Sequence, residues 1–376
     1  MRFEEIETPV LLLDEAKMNR NIARMRARVD SLGVAFRPHL KTSKCIQVAR
    51  RLVGDSPSAV CVSTLKEAEF FLAHGFTDIL YAVGITPGKL QHVADLRARG
   101  CDLKIILDSS EAADAVSDFA RQRSVALPAL VEIDSDGQRA GVAPDDDKLL
   151  AIGKRLGSLL CGLMTHAGAS YDCRGVQEIR DMAEQERGKT VRAAERLREA
   201  GMPCSIVSVG STPTALFAEH LSGVTEVRAG VFVFQDLVMA GLAVCQIEDI
   251  AISVLCTVIG HQRERGWLIT DAGWMSMSRD RGTARQSTAQ GFGLVCDEAG
   301  QIIPGLVLMN TSQEHGIIVD RSGNSAKALR FPIGTRLRIL PNHACATAAQ
   351  HAAYHVIGGR GSDDSIDDVW PRFSGW

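Results

Sequence analysis

The pattern of hydrophobic and polar positions divides the chain into two parts. From about residue 34 to about residue 240, short β-branched apolar runs alternate with segments whose apolar residues recur at helical spacing. This alternation predicts strands joined by crossover helices such as Leu65–His74 and Val176–Ala200, as parallel strands require. The predicted strands are Val34–His39, Ala59–Ser63, Asp78–Val83, Lys104–Asp108, Ala129–Asp134, Cys161–His166, Ile206–Gly210 and Glu226–Val231.

Eight successive βα units predict an α/β fold built on a (β/α)8 barrel. An open doubly wound sheet stays an alternative, because counting units does not show closure. The first predicted strand is not followed by a Gly-x-Gly-x-x-Gly turn, which weighs against the dinucleotide-binding version of that sheet.

After about residue 245 the pattern changes to short alternating strands separated by turn residues. The predicted strands are Ile252–Ile259, Gly266–Asp271, Gly293–Cys296, Gly316–Val319 and Thr335–Leu340. Leu11–Leu13, which precedes a long helix at Asp14–Ser31, is a short apolar strand that can return to pair with this region. We therefore expect a barrel domain over residues 14–245 and a mainly antiparallel β domain formed by residues 1–13 and 246–376.

Composition excludes several classes of function. The chain of 376 residues has 45% hydrophobic and 23% charged residues and a net charge of −3, which provides no field for gathering nucleic acid. Its ten cysteines lie mostly singly in apolar runs, as expected in a reducing compartment. The N-terminus does not read as a signal peptide, and no apolar run reaches the roughly 20 residues that span a bilayer. We expect a cytoplasmic protein with neither nucleic acid nor membrane as a partner.

Polar residues recur directly after the predicted barrel strands. Because active sites of this fold lie at the carboxyl ends of the strands, these residues are candidates for function, although turns are polar in any protein. The candidates are His39, Lys41, Ser63, Thr64, Asp134, Arg139, His166, Gly210, Ser211, Thr212, Arg228 and Gly230.

Lys41 follows the first strand and has Arg37, His39 and Lys44 close by in sequence. Neighbouring positive charge disfavours the ammonium form, and a partly deprotonated lysine is what Schiff-base chemistry requires. The alternative is an ordinary solvated lysine, and charge alone does not decide between the two.

The segment Gly210-Ser211-Thr212-Pro213-Thr214 follows the seventh strand, and Gly230 and Val231 end the eighth. Barrel enzymes commonly build phosphate sites from these two loops, since glycine lets backbone N–H groups approach phosphate oxygens closely. Ser211 could equally serve as the N-cap of a helix.

His343 and Cys345 follow the last predicted strand. On an extended segment, residues i and i+2 point the same way, so the two side chains could hold one divalent cation, most naturally zinc. Two protein ligands leave coordination positions open, which is the arrangement of a catalytic metal. Simple packing is the alternative for a His-x-Cys pair.

Several longer motifs extend these features over almost the whole chain. They are Arg-Pro-His-Leu-Lys-Thr-Ser-Lys from Arg37, Val-Ser-Thr-Leu-Lys-Glu-Ala-Glu from Val62, Glu-Ile-Asp-Ser-Asp-Gly-Gln-Arg-Ala-Gly-Val from Glu132, Thr-His-Ala-Gly from Thr165, Val-Gly-Ser-Thr-Pro-Thr from Val209, Glu-Val-Arg-Ala-Gly-Val from Glu226, Asp-Ala-Gly-Trp-Met-Ser-Met-Ser-Arg-Asp-Arg-Gly-Thr from Asp271 and Gln-Glu-His-Gly from Gln313. With these motifs the chain resembles the fold-type III enzymes of the D-serine dehydratase and D-threonine aldolase family, which use pyridoxal 5′-phosphate (PLP) on an alanine-racemase-like barrel.

The resemblance implies a role for each matching position. Lys41 would carry PLP as a Schiff base, and Arg139, His166 and Arg228 would contact its phenolic oxygen, its ring and its pyridine nitrogen. Ser211, Thr212, Gly230 and Val231 would hold the phosphate, and His343 and Cys345 would bind the metal, with zinc favoured over manganese, cobalt or magnesium. Gln138 and Phe232 depart from the family pattern and receive no role. His315 is a candidate catalytic or metal-supporting residue, as is Asp271, although both could be structural.

The resemblance also implies the reaction. An arginine facing the pyridine nitrogen weakens PLP as an electron sink, so the reaction needs help at the β-carbon. We expect Lys41 to remove the α-proton of a D-3-hydroxy amino acid, such as 3-hydroxy-D-aspartate or D-serine, and the metal to assist loss of the β-hydroxyl, giving a keto acid and ammonia.

Three alternatives stay open. A retro-aldol cleavage to glycine and an aldehyde is the nearest, although the family's aldolases commonly have His-x-Asp where this chain has His-x-Cys. A PLP-binding protein without lyase activity and a racemase are less favoured. The family implies a homodimer in which the β domain of one subunit approaches the barrel mouth of the other.

Overall fold

The computed structural model describes residues 2–54, 59–359 and 365–376. These form two compact units, one made of Met1–Ala23 with Val231–Ser374 and the other of Arg24–Gly230 with Gly375–Trp376. Each unit is built around one sheet. Within the described ranges, none of the helices combines the length and the apolar character needed to cross a membrane.

The chain opens with strand β1, Val10–Asp14, and helix α1, Glu15–Leu32. Eight parallel strands follow: β2 Ala35–Pro38, β3 Val60–Val62, β4 Asp78–Gly84, β5 Asp102–Leu107, β6 Ala129–Ile133, β7 Leu160–Thr165, β8 Ile206–Val209 and β9 Glu226–Ala229. The helices after β2 to β8 are α2 Ile46–Val53, α3 Leu65–Ala73, α4 Leu90–Ala98, α5 Ser110–Arg123, α6 Lys148–Leu156, α7 Val176–Glu199 and α8 Thr212–Phe217.

The parallel sheet closes on itself. Its strand order runs β2-β9-β8-β7-β6-β5-β4-β3, and a parallel bridge between His39 and Cys61 joins the two end strands. The Leu40 N–H donates to the Cys61 carbonyl at 2.9 Å beside this bridge. The predicted barrel is therefore confirmed and the open sheet is wrong. All eight predicted strands are present, with ends that differ from the prediction by no more than two residues.

The second unit contains a nine-stranded sheet, in the order β11-β14-β13-β12-β15-β10-β1-β16-β17. Its further strands are β10 Ile252–Gln262, β11 Trp267–Thr270, β12 Gly293–Cys296, β13 Ile302–Thr311, β14 Gly316–Asp320, β15 Arg336–Pro341, β16 Ala353–Ile357 and β17 Asp368–Pro371, and its short helices are α9 Leu237–Gly241, α10 Trp274–Met277, α11 Ser325–Leu329 and α12 Ala344–Ala348.

The second unit is mainly antiparallel β structure, as the sequence predicted. Strand β1 pairs antiparallel with β10, with Leu13 opposite Ile252, and parallel with β16. The other strand pairs of this sheet are antiparallel. The predicted return of the N-terminal strand to this region is confirmed, whereas β13, β16 and β17 were not predicted.

Candidate active site

Lys41 lies in the turn that follows β2, at the carboxyl end of the barrel. Its side chain is exposed, and its backbone N–H donates to His39 Nδ1 at 3.3 Å. No carboxylate of the described residues forms an ion pair with Lys41. The lysine that the sequence singles out is therefore accessible at the barrel mouth.

The sequence predicted that the positive charges of three neighbours disfavour the ammonium form of Lys41. For two of them, Arg37 and Lys44, this prediction is wrong. Arg37 points into the barrel and donates to Glu226 at 2.9 Å and to Asp78 at 2.9 Å. Lys44 Nζ lies 3.0 Å from the buried Glu67 carboxylate. Carboxylates far away in sequence neutralise both cations, which local sequence could not reveal.

Arg228 is the cation that does lie near the barrel mouth. Its side chain is buried, with Nη1 donating to Ser208 Oγ at 2.6 Å and Nη2 donating to the Thr165 carbonyl. Its charge contributes to lowering the pKa of His39 and of His166. Neighbouring strands thus hold this guanidinium in a fixed orientation beneath the two histidines.

His166 follows β7 and is held neutral. Burial lowers its pKa to about 3, and the charges of Lys41, Arg139 and Arg228 act in the same direction. Its Nδ1 lies 3.1 Å from the Gly210 carbonyl. A carbonyl only accepts, so Nδ1 carries the proton and Nε2 presents a lone pair. His39 is likewise held neutral, because burial and then the Lys41 charge keep its pKa well below the ordinary value.

The loop after β8 has the geometry expected of a phosphate site and also of a helix cap. Gly210 has φ +123°, and a Cβ there would lie 2.4 Å from the Arg228 carbonyl oxygen, so only glycine fits. Ser211 caps α8, with its Oγ accepting from the Thr214 N–H at 3.2 Å. The Ser211 hydroxyl also lies 2.8 Å from Ser170 Oγ. Thr212, the first residue of α8, is buried.

The carboxyl group of Glu186, on α7, accepts hydrogen bonds from this loop and from the loop after β7. Its Oε1 accepts from the Gly210 N–H at 3.0 Å and from the Ala167 N–H at 2.9 Å. Burial raises the pKa of the carboxyl group, while the Thr214 hydroxyl and the two backbone donors act in the opposite direction. One buried carboxylate therefore ties together the loops that follow β7 and β8.

Two further predicted residues lie at the ends of barrel strands. The guanidinium of Arg139 forms a 3.2 Å ion pair with Glu132, the fourth residue of β6. A Cβ at Gly230 would lie 3.1 Å from both the His39 carbonyl oxygen and Thr42 Oγ1. Gly230 therefore keeps the chain close to the Lys41 turn. Val231 follows directly and begins a single 3-10 turn, Val231–Val233.

His343 and Cys345 lie together, but not on the extended segment that the sequence predicted. Strand β15 ends at Pro341, His343 is the N-cap of α12, and Cys345 lies within that helix. The segment is helical because its first backbone N–H, that of Ala344, donates to the Asp236 carboxylate at 2.9 Å, which caps the helix. The alanine-rich residues that follow favour the helical conformation. The Cys345 side chain nevertheless lies close enough to the imidazole to contribute to raising the pKa of His343.

Asp280 orients the imidazole of this pair. Its Oδ2 lies 2.7 Å from His343 Nδ1, which fixes the orientation of the ring. Burial alone would lower the pKa of His343, but the hydrogen bonds with Asp280 and Cys345 outweigh it and raise the pKa to about 11. Among the described residues, no three His, Cys, Asp or Glu side chains are grouped so as to hold a metal ion.

The other two candidates of the β unit have different surroundings. Asp271 accepts from Thr8 Oγ1 at 2.5 Å and from the Thr257 N–H at 2.7 Å, so its carboxylate serves to join strands. His315 is exposed in the turn before β14, where its carbonyl accepts from the Ser312 N–H at 2.8 Å. Asp280, rather than either of these residues, supports His343.

Comparison with known proteins agrees with both units. The family described as alanine racemase, N-terminal domain, matches residues 13–237, and the family described as putative serine dehydratase domain matches residues 251–357. A D-threo-3-hydroxyaspartate dehydratase of Delftia sp. (strain HT23) is 54% identical over 99% of this chain and 98% of its own. A D-serine dehydratase of Dictyostelium discoideum is 31% identical over 94% of this chain and 93% of its own.

Solved structures give the same result. The Delftia dehydratase structure superimposes with a TM-score of 0.96 at 53% identity and covers 100% of both chains. A D-threonine aldolase from Filomicrobium marinum superimposes with a TM-score of 0.83 at 26% identity, covering 98% of this chain and 95% of its own. An alanine racemase from Clostridium difficile, at 13% identity and a TM-score of 0.68, shares the fold.

Fold and sequence therefore define the class as an alanine-racemase-like, PLP-dependent enzyme of fold type III. Within that class, the chain belongs to the D-serine dehydratase and D-threonine aldolase family and is a lyase.

Proposed function

We propose that this protein is a PLP- and divalent-metal-dependent dehydratase that converts a D-3-hydroxy amino acid, foremost 3-hydroxy-D-aspartate, to a keto acid and ammonia. In this proposal the barrel, residues 14–245, binds PLP, and the β domain, residues 1–13 and 246–376, carries the metal. The single observation that carries the metal-dependent reaction is that the side chains of His343 and Cys345 lie together, with Asp280 Oδ2 2.7 Å from His343 Nδ1.

The residues of the barrel mouth fit PLP. Gly210 and Gly230 let two loops pack closely, since a Cβ would lie 2.4 Å from the Arg228 carbonyl oxygen at Gly210 and 3.1 Å from the His39 carbonyl oxygen at Gly230. Glycine at such positions also lets backbone N–H groups approach a phosphate. We propose that Ser211, Thr212, Gly230 and Val231 bind the phosphate. Lys41 offers an accessible amino group with no described carboxylate partner, which suits it to bind the cofactor covalently.

When bound, PLP supplies the electron sink that makes the α-proton of an amino acid removable. Lys41 then serves as the base that takes this proton. Arg228, held by Ser208 of β8 and the Thr165 carbonyl of β7, would face the pyridine nitrogen as a cation and would disfavour its protonation. His166, neutral in the fold, would lie beside the ring, and Arg139 would contact the phenolic oxygen.

The His343 and Cys345 pair fits a borderline-soft divalent cation, with zinc favoured, because it offers imidazole nitrogen and thiol sulfur together. A cation there would supply Lewis-acid assistance to a departing hydroxyl. Solved structures of D-threo-3-hydroxyaspartate dehydratase support this: they include a histidine-to-alanine and a cysteine-to-alanine variant, two positions apart, and the cysteine variant is in a metal-free form. His315 is proposed to contact the substrate.

Dehydration is favoured over retro-aldol cleavage because the most similar of the relatives described above, at 54% identity, is a dehydratase, whereas the structural similarity to the D-threonine aldolase is at 26% identity. The His-x-Cys pair also favours dehydration, since the family's aldolases commonly have His-x-Asp at these positions. We also propose a homodimer in a reducing compartment, in keeping with ten cysteines, all within the described ranges, that form no disulfide. Light scattering tests the dimer.

Substrate profiling with metal removal and add-back tests the proposed function. The purified, PLP-loaded protein is treated with a chelator, and ammonia release is measured with 3-hydroxy-D-aspartate, D-serine and D-threonine before and after zinc, manganese, cobalt or magnesium is restored. We expect activity to disappear with the metal and to return with zinc, and 3-hydroxy-D-aspartate to be the best substrate. Activity that survives complete metal removal would contradict the role of His343 and Cys345.

A further inference from the structure

A chain of buried polar groups runs through the barrel from its amino-terminal rim to Arg228. Arg228 Nη1 donates to Ser208 Oγ at 2.6 Å, and the Ser208 hydroxyl donates to Glu226 Oε1 at 2.6 Å. Arg37 Nε donates to the same carboxylate at 2.9 Å, and Arg37 Nη1 donates to Asp78 at 2.9 Å. We call these residues, Asp78, Arg37, Glu226, Ser208 and Arg228, the interior chain.

Strand register explains how these residues meet. Glu226 and Arg228 are the first and third residues of β9, so their side chains project to the same face of the strand. Ser208 of β8 is the partner of Glu226, and Arg37 of β2 is the partner of Arg228. Four of the five groups are at most 6% exposed, whereas Asp78, the first residue of β4, reaches solvent at the rim.

Burying these charges is costly unless each one is paired. The carboxylate of Glu226 lies between two arginines, contacting Arg37 directly and Arg228 through the Ser208 hydroxyl. Burial alone would lower the pKa of Arg37, but Glu226 and Asp78 outweigh it and raise the pKa. Arg228, by contrast, makes no direct ion pair with a carboxylate of the described residues. Its guanidinium is held in place while its charge is only partly compensated.

We propose that Ser208 and Glu226 are positioning residues that act through Arg228: the hydroxyl fixes the guanidinium, and the carboxylate one hydroxyl away sets how much positive charge Arg228 presents to PLP. The inference rests on the proposed function, since it requires PLP over the barrel mouth. A direct Arg228–carboxylate pair would neutralise the cation, and without the Ser208 hydroxyl the guanidinium would keep the Thr165 carbonyl as an acceptor but lose the contact that fixes Nη1. The interposed serine avoids both.

Ser208→Ala tests the role of the hydroxyl with little change in volume. Because Arg228 Nη1 loses its acceptor, we expect kcat to fall at least about tenfold, with KM within about twofold of wild type and an altered absorbance spectrum of bound PLP. Ser205→Ala is the matched control: Ser205 is exposed, three positions earlier, and donates to the Cys161 carbonyl at 3.0 Å. It should leave the spectrum and both constants unchanged.

Glu226→Gln provides a second readout. Removing this negative charge should lower the pH midpoint of the bound cofactor's absorbance change, because the surroundings of Arg228, Lys41 and the two neutral histidines become more positive. A thermal midpoint recorded for each variant separates misfolding from this effect. Wild-type protein that binds no PLP would contradict the proposed function. PLP-loaded wild type whose kcat and spectrum match those of Ser208→Ala would overturn the interior-chain proposal alone.

Discussion

Asp280 Oδ2 lies 2.7 Å from His343 Nδ1, although 63 positions separate the two residues. The contact fixes the orientation of the ring. The proposed metal ligand His343 is thus oriented by a carboxylate that lies far from it in sequence.

Asp280→Asn should weaken metal binding. The amide cannot replace the charge-assisted hydrogen bond, and loss of such a supporting carboxylate typically costs 10- to 100-fold in metal affinity. Competition with a chromophoric chelator measures the affinity. Asp30→Asn, an exposed change on α1, is the control and should bind zinc as wild type does. Unchanged zinc affinity in Asp280→Asn would show that the carboxylate does not support the ligand.

Lys41→Ala should abolish covalent attachment of PLP. Borohydride reduction of the wild-type protein should add the cofactor's mass to the peptide containing Lys41, and the variant should lose both this label and, as the α-proton base, about 10²- to 10⁴-fold in kcat. Lys66→Ala is the control, because Lys66 is exposed and its one ion pair within the described part of the chain is with Glu69, at 2.9 Å. A reduced label on any other lysine would contradict the assignment.

Glu186→Leu should destabilise the barrel. The substitution leaves the buried N–H groups of Gly210 and Ala167 without acceptors, and each such group costs about 1–3 kcal/mol. The thermal midpoint should fall by several degrees, and the dissociation constant of PLP should rise because the loop after β8 is released. Glu184→Gln, two positions away on the exposed side of α7, should change the midpoint little. Equal midpoints for the two variants would contradict the assigned role of Glu186.

His166 predicts a pH dependence of stability. Its pKa is about 3 in the fold and about 6.5 when unfolded, so the unfolded state binds more protons between these values. The contribution of His166 to the free energy of unfolding is at its full value above pH 6.5 and is lost as the pH falls towards 3. About 2 kcal/mol is lost between pH 7 and pH 5. Denaturant unfolding of the PLP-free protein should show a shallower loss in His166→Asn than in wild type. His74→Asn, at an exposed histidine, should behave as wild type, and parallel curves for His166→Asn and wild type would refute the prediction.

The barrel was predictable from sequence because strands buried on both faces appear as continuous apolar runs, such as Ala129–Ile133, bounded by turns. Strand β13 escaped prediction because Pro304 and Gly305 interrupt its apolar run. Polar positions such as His355 likewise break the pattern of β16.

The candidate site was predictable where function lies in a local motif and not where it depends on distant partners. Lys41 and the His343 and Cys345 pair stand out in sequence. Glu186 and Glu226 are single carboxylates whose importance comes from burial against other strands and loops. Asp280 does lie within the family motif that begins at Asp271, and this motif is the one signal that could have identified it.

The identity of the products tests the central claim most directly. Purified protein loaded with PLP and zinc is incubated with 3-hydroxy-D-aspartate, and keto acid, ammonia, glycine and aldehyde are measured over time in the same samples. We predict keto acid and ammonia in equal amounts, at the rate of substrate loss, with no glycine. Glycine and an aldehyde in equal amounts, without ammonia, would contradict the account and identify the enzyme as an aldolase.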